Sequence, residues 1–337
     1  MFLKNHAEAL LKAHKIAVVR TDRIGDMMLT LPLCAALKRH CPQAHITMIA
    51  RKYTEPLLKH SHVIDEALFV EDFTGVGPEF DKLAFIFLQE KYDAVFFPRM
   101  VLHEVGASFL SNVPLRIGSG YRWYSMFLNH KIKQHRHDAK FHEAEYNTQM
   151  LADVLKTDIA TKLVEPEIDI ESAERLDKIL LKNGIAHEDK YIVIHPGSGG
   201  SAHDWPAEKF GELAKILLKE RGIKIIITGI ESEKAKSEAV LKGCPEAINL
   251  CGKLQLDELL PLLLKATLFI GNSSGPLHIA ASFETPVVGF YPNSPAISAK
   301  RWGPYSKNSL IISPGSGDDM RTISVETAAE KIRQFQF

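Results

Sequence analysis

The chain has 337 residues, 45% of them hydrophobic and 24% charged, with 41 Lys+Arg against 41 Asp+Glu. That length is more than one hydrophobic core usually serves, which predicts two domains of roughly 150 residues, and the ordinary composition excludes a disordered or fibrous protein. A formal charge of zero argues against nucleic acid as a partner.

The opening stretch, MFLKNHAEALLKAHK, lacks the continuous apolar segment of a signal peptide. No apolar run approaches the roughly 18 residues of a membrane span. The four cysteines, at 34, 41, 244 and 251, have no C-x-x-C spacing and read as buried free thiols. A soluble, cytoplasmic protein is expected. In chain order, strands are predicted at 16–20, 45–50 and 94–97, with amphipathic stretches between them. A polar, charged segment over 164–190, holding a helix from about Ser172, is the expected boundary. Beyond it come strands at 191–195, 223–228, 267–271, 286–291 and 310–312. A helix over 207–220 presents Phe210, Leu213, Ile216 and Leu217 on one face, with Pro206 at its start. The last stretch, 325–337, reads as a terminal helix with Ala328, Ile332 and Phe335 on one side. Such alternation predicts parallel sheets covered by helices on both faces. The expected division is 1–165 and 166–320, with 321–337 as a terminal helix free to return to the first domain. Two doubly wound domains facing one another would bind a ligand in a cleft at their strand C-terminal edges.

Three motifs follow strands. Arg20-Thr-Asp-Arg-Ile-Gly-Asp26 comes after the first, with Gly25 expected to allow a tight turn and Asp26 to open the next helix. A carboxylate there is suitably placed for a general base, or it simply complements the helix dipole. His195-Pro-Gly-Ser-Gly-Gly-Ser-Ala-His-Asp-Trp-Pro206 suits a loop holding phosphate oxygens with backbone N–H groups. It is neither a dinucleotide fingerprint nor a P-loop, which disfavours a dehydrogenase. Gly271-Asn-Ser-Ser-Gly-Pro-Leu-His278 makes a second anion site at a helix start, with His278 a ligand or a packed core residue. Less specific is 115–140, which holds six Lys/Arg and one Asp interleaved with Tyr121, Trp123, Tyr124 and Phe127. Arg116, Arg122, Trp123, Lys131 and Lys133 form a patch there suited to an anionic acceptor or a lipid headgroup surface; a solvated loop region is the plainer alternative.

Taken together, the motifs resemble the heptosyltransferase family of lipopolysaccharide biosynthesis, glycosyltransferase family nine. The matching residues are Asp22-x-x-Gly-Asp26-x-x-Leu-Thr-x-Pro32, His195-Pro-Gly197 with Trp205-Pro206, Gly271-Asn272, Ser274-Gly-Pro-x-His278-x-Ala-Ala281 and Pro286-Val-Val288. The resemblance implies the GT-B architecture, two Rossmann-like domains facing a cleft, with acceptor on the first and nucleotide sugar on the second. It implies inverting, metal-independent transfer, from ADP-heptose, to a lipid-linked oligosaccharide, with peripheral contact at the inner membrane face. By the match, Asp26 is the catalytic base. Gly197, Ser198, Ser274, Gly275 and His278 hold the diphosphate, Glu231 the ribose, and Leu254 lines the base. Two donor-site positions depart from the family: His203 stands where family members carry Lys, and Ser273 replaces an Asp thought to contact the sugar. Two other readings stay open, a nucleotide-binding module without turnover and a sugar-nucleotide epimerase of the same architecture.

Overall fold

A computed structural model of the chain describes residues 6–200 and 203–337. The first five residues of the opening stretch, and Ser201 and Ala202 of the loop after 195, lie outside the described residues. The chain divides into two compact units, Met1–Arg136 with Glu143–Val164, and His137–His142 with Glu165–Phe337. The short segment 137–142 groups with the second unit because His142 bonds through Nε2 to the Gly303 carbonyl at 2.8 Å and sets its ring against Tyr305. A division by sequence position alone could not show this.

In the first unit α1 (His6–Leu11) leads into β1 (Lys15–Arg20), followed by α2 (Ile24–Met28), α3 (Leu31–His40), β2 (His45–Ala50), β3 (Glu66–Phe69) and α4 (Glu79–Glu90). Then come β4 (Ala94–Phe97), α5 (Leu102–Leu110), β5 (Leu115–Ser119), β6 (His130–Ile132) and α6 (Glu143–Leu155). The six strands lie in the order β3-β2-β1-β4-β5-β6, all parallel. Successive residues of β1 and β4 are buried on both faces; Ala17, Val19, Val95 and Phe97 enter one core with Leu83, Phe87 and Val105. This two-sided burial is what makes the strands read as continuous apolar runs.

Asp26 does not open the long helix. It sits within the five-residue α2, and the chain breaks at Leu29 and Thr30 before α3. Pro32 is the cause: it lacks an N–H and fits only the first turn of a new helix. Gly25 is a buried helical residue of α2 and has no left-handed φ.

The second unit repeats the layout with α7 (Ile170–Lys182), β7 (Tyr191–His195), α8 (Ala207–Arg221), β8 (Lys224–Ile227), α9 (Lys234–Gly243), β9 (Ile248–Asn249) and α10 (Leu256–Lys265). It continues with β10 (Leu268–Asn272), α11 (Gly275–Ser282), β11 (Val287–Phe290), α12 (Ala299–Trp302), β12 (Ser309–Ile312) and α13 (Val325–Gln334). The strand order is β12-β11-β10-β7-β8-β9, again all parallel. α7 begins at Ile170, ahead of Ser172, because Asp169 caps it by accepting from the Glu171 N–H at 2.9 Å. α13 belongs to this unit: Ala328, Ala329 and Ile332 enter its core and Arg333 pairs with Glu220 of α8 at 2.6 Å. The expectation that this helix could return to the first domain is corrected accordingly. All four cysteines are free and buried. Among the described residues no helix is long and apolar enough to cross a membrane.

In each sheet the strand order reverses beside the first strand of the unit. The switch points lie between β1 and β4, and between β7 and β10. The C-terminal ends of the strands at such a point are the usual ligand position in open α/β sheets.

Candidate active site

At the first switch point, Arg20 ends β1 as a buried cation, 3% exposed. Its Nε donates to Asp22 Oδ1 at 2.6 Å and its Nη2 to Asp26 Oδ1. One guanidinium thus clamps both carboxylates of the motif in a fork geometry available to Arg and not to Lys. Burial alone would lower the Arg20 pKa, but Asp26 and Asp22 hold it well above its ordinary value. For Asp26, burial raises the pKa; Arg20 pulls it back, while Asp22 and Glu143 push it further up. The net direction is upward because three unfavourable influences act against one cation. A base with a raised pKa is a stronger proton acceptor, and it must be ionised to act.

The start of the loop carrying these groups is tied from three directions. Arg51 Nε donates to the Thr21 carbonyl at 3.2 Å, the Tyr53 hydroxyl to the Asp22 carbonyl, and the Thr21 hydroxyl to Glu104 on α5. Beneath α2, the Thr30 hydroxyl donates to the Asp26 carbonyl at 2.8 Å, and Asn147 Nδ2 donates to Leu29 at 2.8 Å.

At the second switch point the partners are backbone groups and neutral side chains, with one carboxylate, Glu233, among them. Asn272, at the end of β10, accepts from the Trp205 N–H at 2.9 Å and donates to the Pro196 carbonyl at 2.7 Å. It staples together the two ends of the loop after β7. Trp205 anchors that loop in the core, stacked on Phe290 at 4.2 Å and 7° with its Nε1 donating to Ile323. Gly197 is required because a Cβ there would run into the Glu233 carboxylate. Gly199 and Gly200 take left-handed φ of 57° and 74°. Glu233 accepts from the Gly199 N–H at 3.1 Å and the Ile230 N–H at 3.2 Å, and lies 3.8 Å from His195.

Ser274 precedes α11 as its N-cap but makes no side-chain cap bond, and its buried hydroxyl has no partner. His278, one turn on, is 4% exposed, and its Nδ1 is likewise unpartnered. Burial, with His142 nearby, pushes its pKa down to about 3, so the ring is neutral at working pH. Two buried polar groups without partners beside a helix N-terminus suit an anionic oxygen arriving from outside the chain. Glu231 follows β8, and Leu254 follows β9; the Gly252 N–H bonds to the Gly229 carbonyl at 2.8 Å, bringing their two turns together. Gly252, with φ 71°, has no Cβ to collide with Glu231.

Residues 86–332 match the model of glycosyltransferase family 9 (heptosyltransferase). The chain belongs to this family. The transferase is 28% identical over 95% of its length to a Haemophilus influenzae protein named "Putative glycosyltransferase", covering 96% of that protein. It is 26% identical to lipopolysaccharide heptosyltransferase 2 of Salmonella typhimurium, over 83% of this chain and 84% of that one. Among solved structures it resembles the Escherichia coli ADP-heptose lps heptosyltransferase II, with a TM-score of 0.79 and 22% identity over 95% and 98% of the two chains. The fold is GT-B, two Rossmann-like α/β units, and the protein is a glycosyltransferase.

The transferase treats the remaining sequence candidates unequally. Ser273 is hydrogen-bonded with the Tyr291 hydroxyl, so the position where the family's Asp is expected is occupied by a satisfied neutral group. His203 is exposed. In the basic patch Arg122, Trp123, Lys131 and Lys133 are exposed, Trp123 by 70%, with Tyr121 and Met126 alongside. Arg116 does not belong with them: its Nε donates to the Phe127 carbonyl at 2.7 Å, it also bonds to Val113, and it lies over the Phe109 ring. Its cation is spent on closing a turn.

Sequence reading missed Arg20, Glu104, Asn272 as a staple, and Glu233. Arg20 had a signal, a cation ending the apolar run KIAVVR directly before two aspartates. Glu233 had none for its place in the site, since its bond to the Gly199 N–H comes from a loop more than thirty residues away in the chain.

Proposed function

We propose that this family 9 enzyme transfers a heptose from ADP-heptose to a lipopolysaccharide-core-type acceptor, with inversion and with Asp26 as general base. The observation that carries the reading is the Arg20-clamped, pKa-raised Asp26 at the first unit's switch point. The acceptor hydroxyl oxygen attacks the anomeric carbon as Asp26 takes its proton. The bond from that carbon to the β-phosphate oxygen breaks, and ADP leaves with the electron pair. Attack opposite the leaving group inverts the anomeric centre.

The growing charge on the diphosphate falls on donors already in place, the backbone N–H groups around Gly197, Ser198 and Gly275 with the Ser274 hydroxyl. Neutral His278 contributes one N–H and no charge. Glu231 takes the ribose hydroxyls, and Leu254 lines the base. Ser273 and exposed His203 tune donor choice, with His203 supplying positive charge only when protonated. No step uses a metal. Arg122, Trp123, Lys131 and Lys133 meet the anionic, lipid-anchored acceptor at the inner membrane face, an aromatic and cationic surface of the kind that favours an interface.

The test is transfer from ADP-heptose to a core acceptor in the presence of EDTA, with the anomeric configuration of the product read by NMR. Inverted product formed at an undiminished rate supports the reading. Retention at the anomeric centre, or loss of rate restored by a divalent cation, rejects the corresponding part. Turnover only with another nucleotide sugar moves the donor and keeps the mechanism.

A further inference from the structure

The first switch point holds a third carboxyl that the proposed chemistry leaves unused. Glu104 lies in the first turn of α5, 1% exposed. Its Oε1 accepts from the Thr21 hydroxyl, and its Oε2 is buried with no partner. Thr21 stands between Arg20 and Asp22, so the bond reaches the segment carrying the clamped aspartates from the opposite side of the switch point. Of the side chains that reach Thr21 and Asp22 from outside residues 20–26 it is the deepest: Tyr53 is 49% exposed and the Arg51 side chain 33%, whereas both Thr21 and Glu104 are buried.

We infer that Glu104 is a positioning residue for transfer, holding the Thr21–Asp26 loop through the Thr21 hydroxyl, and that the hold is strong only when its carboxyl is ionised. The inference rests on Asp26 being the base. A carboxylate accepts a hydroxyl hydrogen bond about twice as strongly as a neutral acceptor. Protonation of Glu104 therefore slackens the tether at Thr21. The charged groups acting on Glu104 come from each neighbouring element: Arg99 from the loop after β4, Asp22 from the loop after β1 and Glu79 from α4. His103, next to it on α5, lies 3.6 Å from Glu79. Burial outweighs both Thr21 and Arg99 and raises the Glu104 pKa to about 7, which puts the change of hold within the working pH range.

The test is the pH–rate profile of the full-length enzyme and of Glu104→Gln and Thr21→Val, with Tm recorded for each. Glu104→Gln keeps an acceptor of the same shape but cannot ionise. It is expected to lose about tenfold in kcat at pH 8, to converge with the unmodified enzyme below about pH 6, and to show no inflection near 7. KM for the nucleotide sugar stays unchanged. Thr21→Val removes the tether with Glu104 in place; it is expected to give the same loss and the same missing inflection, and the double variant to be no slower than either single one. A variant that folds and keeps the inflection near 7, or two losses that multiply as independent effects, overturns the inference. If Glu104→Gln does not fold, Thr21→Val alone decides the matter by the same criterion. Asp26→Asn run in parallel separates the two ideas: normal transfer by that variant ends the base assignment, whereas an unchanged Glu104→Gln profile ends only this one.

Discussion

The two units share a topology and differ in what they place at the switch point. In the first, Asp22 and Asp26 share one buried guanidinium and Glu104 holds the same loop at Thr21, and burial raises Asp26 and Glu104. In the second, the groups are N–H donors, hydroxyls, two buried imidazoles and one carboxylate, Glu233, already taken up by the Gly199 and Ile230 N–H groups, and burial lowers His195 and His278. The same desolvation acts with opposite sign on the two kinds of group, because it always favours the neutral form. One switch point is left with a strong proton acceptor. The other is left with N–H, hydroxyl and imidazole partners suited to an arriving diphosphate, beside a carboxylate already bonded to the backbone. A repeated scaffold thus takes on separate tasks through a few residues after its first and fourth strands.

The contrast is broken most severely at Asp26. Asp26→Asn is expected to cost about 10²–10⁴-fold in kcat while ADP binding by the second unit, read by calorimetry, is unaffected. Parallel losses in both would show that the units do not divide the work in this way. Arg20→Met leaves two partly buried carboxylates without their cation. We expect a loss of about 3–5 kcal/mol in stability, seen in scanning calorimetry as a Tm lower by roughly 10 °C or more.

Opposite pKa shifts predict opposite pH responses. The His278 pKa is near 3 when folded against 6.5 unfolded, so between those values the unfolded chain binds more protons. Stability is lost as pH falls from 6.5 toward 3, by about 5 kcal/mol across the window. Glu104, raised from 4.5 to about 7, binds more protons when folded. Its contribution falls as pH rises from 4.5 to 7, by about 3 kcal/mol. His278→Gln should flatten the acid side and Glu104→Gln the neutral side of a pH–stability curve from urea unfolding. If either variant follows the original curve, that shift is wrong. The smallest expected effect is at the loop: Gly197→Ala forces a methyl group against Glu233 and should weaken ADP binding by about tenfold, with kcat for bound donor little changed.

Much of this was legible in the chain. All eight strands expected from apolar runs are present, because strands buried on both faces must be apolar at successive positions. The strands that sequence reading did not single out, β3, β5, β6 and β9, are short, carry polar residues such as Glu66, Arg116 and Lys131, and lie at or next to sheet edges. There one face or one ladder meets water, and the apolar signature is diluted. The three loop motifs were visible for a similar local reason, since glycines, helix starts and prolines declare backbone geometry within a few residues. Arg116 shows the limit. Its charge is plain in the sequence, but whether a guanidinium faces solvent or closes a turn depends on carbonyls brought to it by folding.

The sequence by itself determined the alternation of strand and helix, the family, and the positions at which chemistry could sit, all of which follow from residue type and near neighbours. Only the tertiary structure decided the protonation states and the partners. Glu104 reaching Thr21 from 83 residues away and Glu233 holding the Gly199 N–H depend on contacts between distant stretches, and the Arg20 clamp, though local in the chain, acts as it does because it is buried. Burial and distance set those energies, and neither exists until the chain has folded.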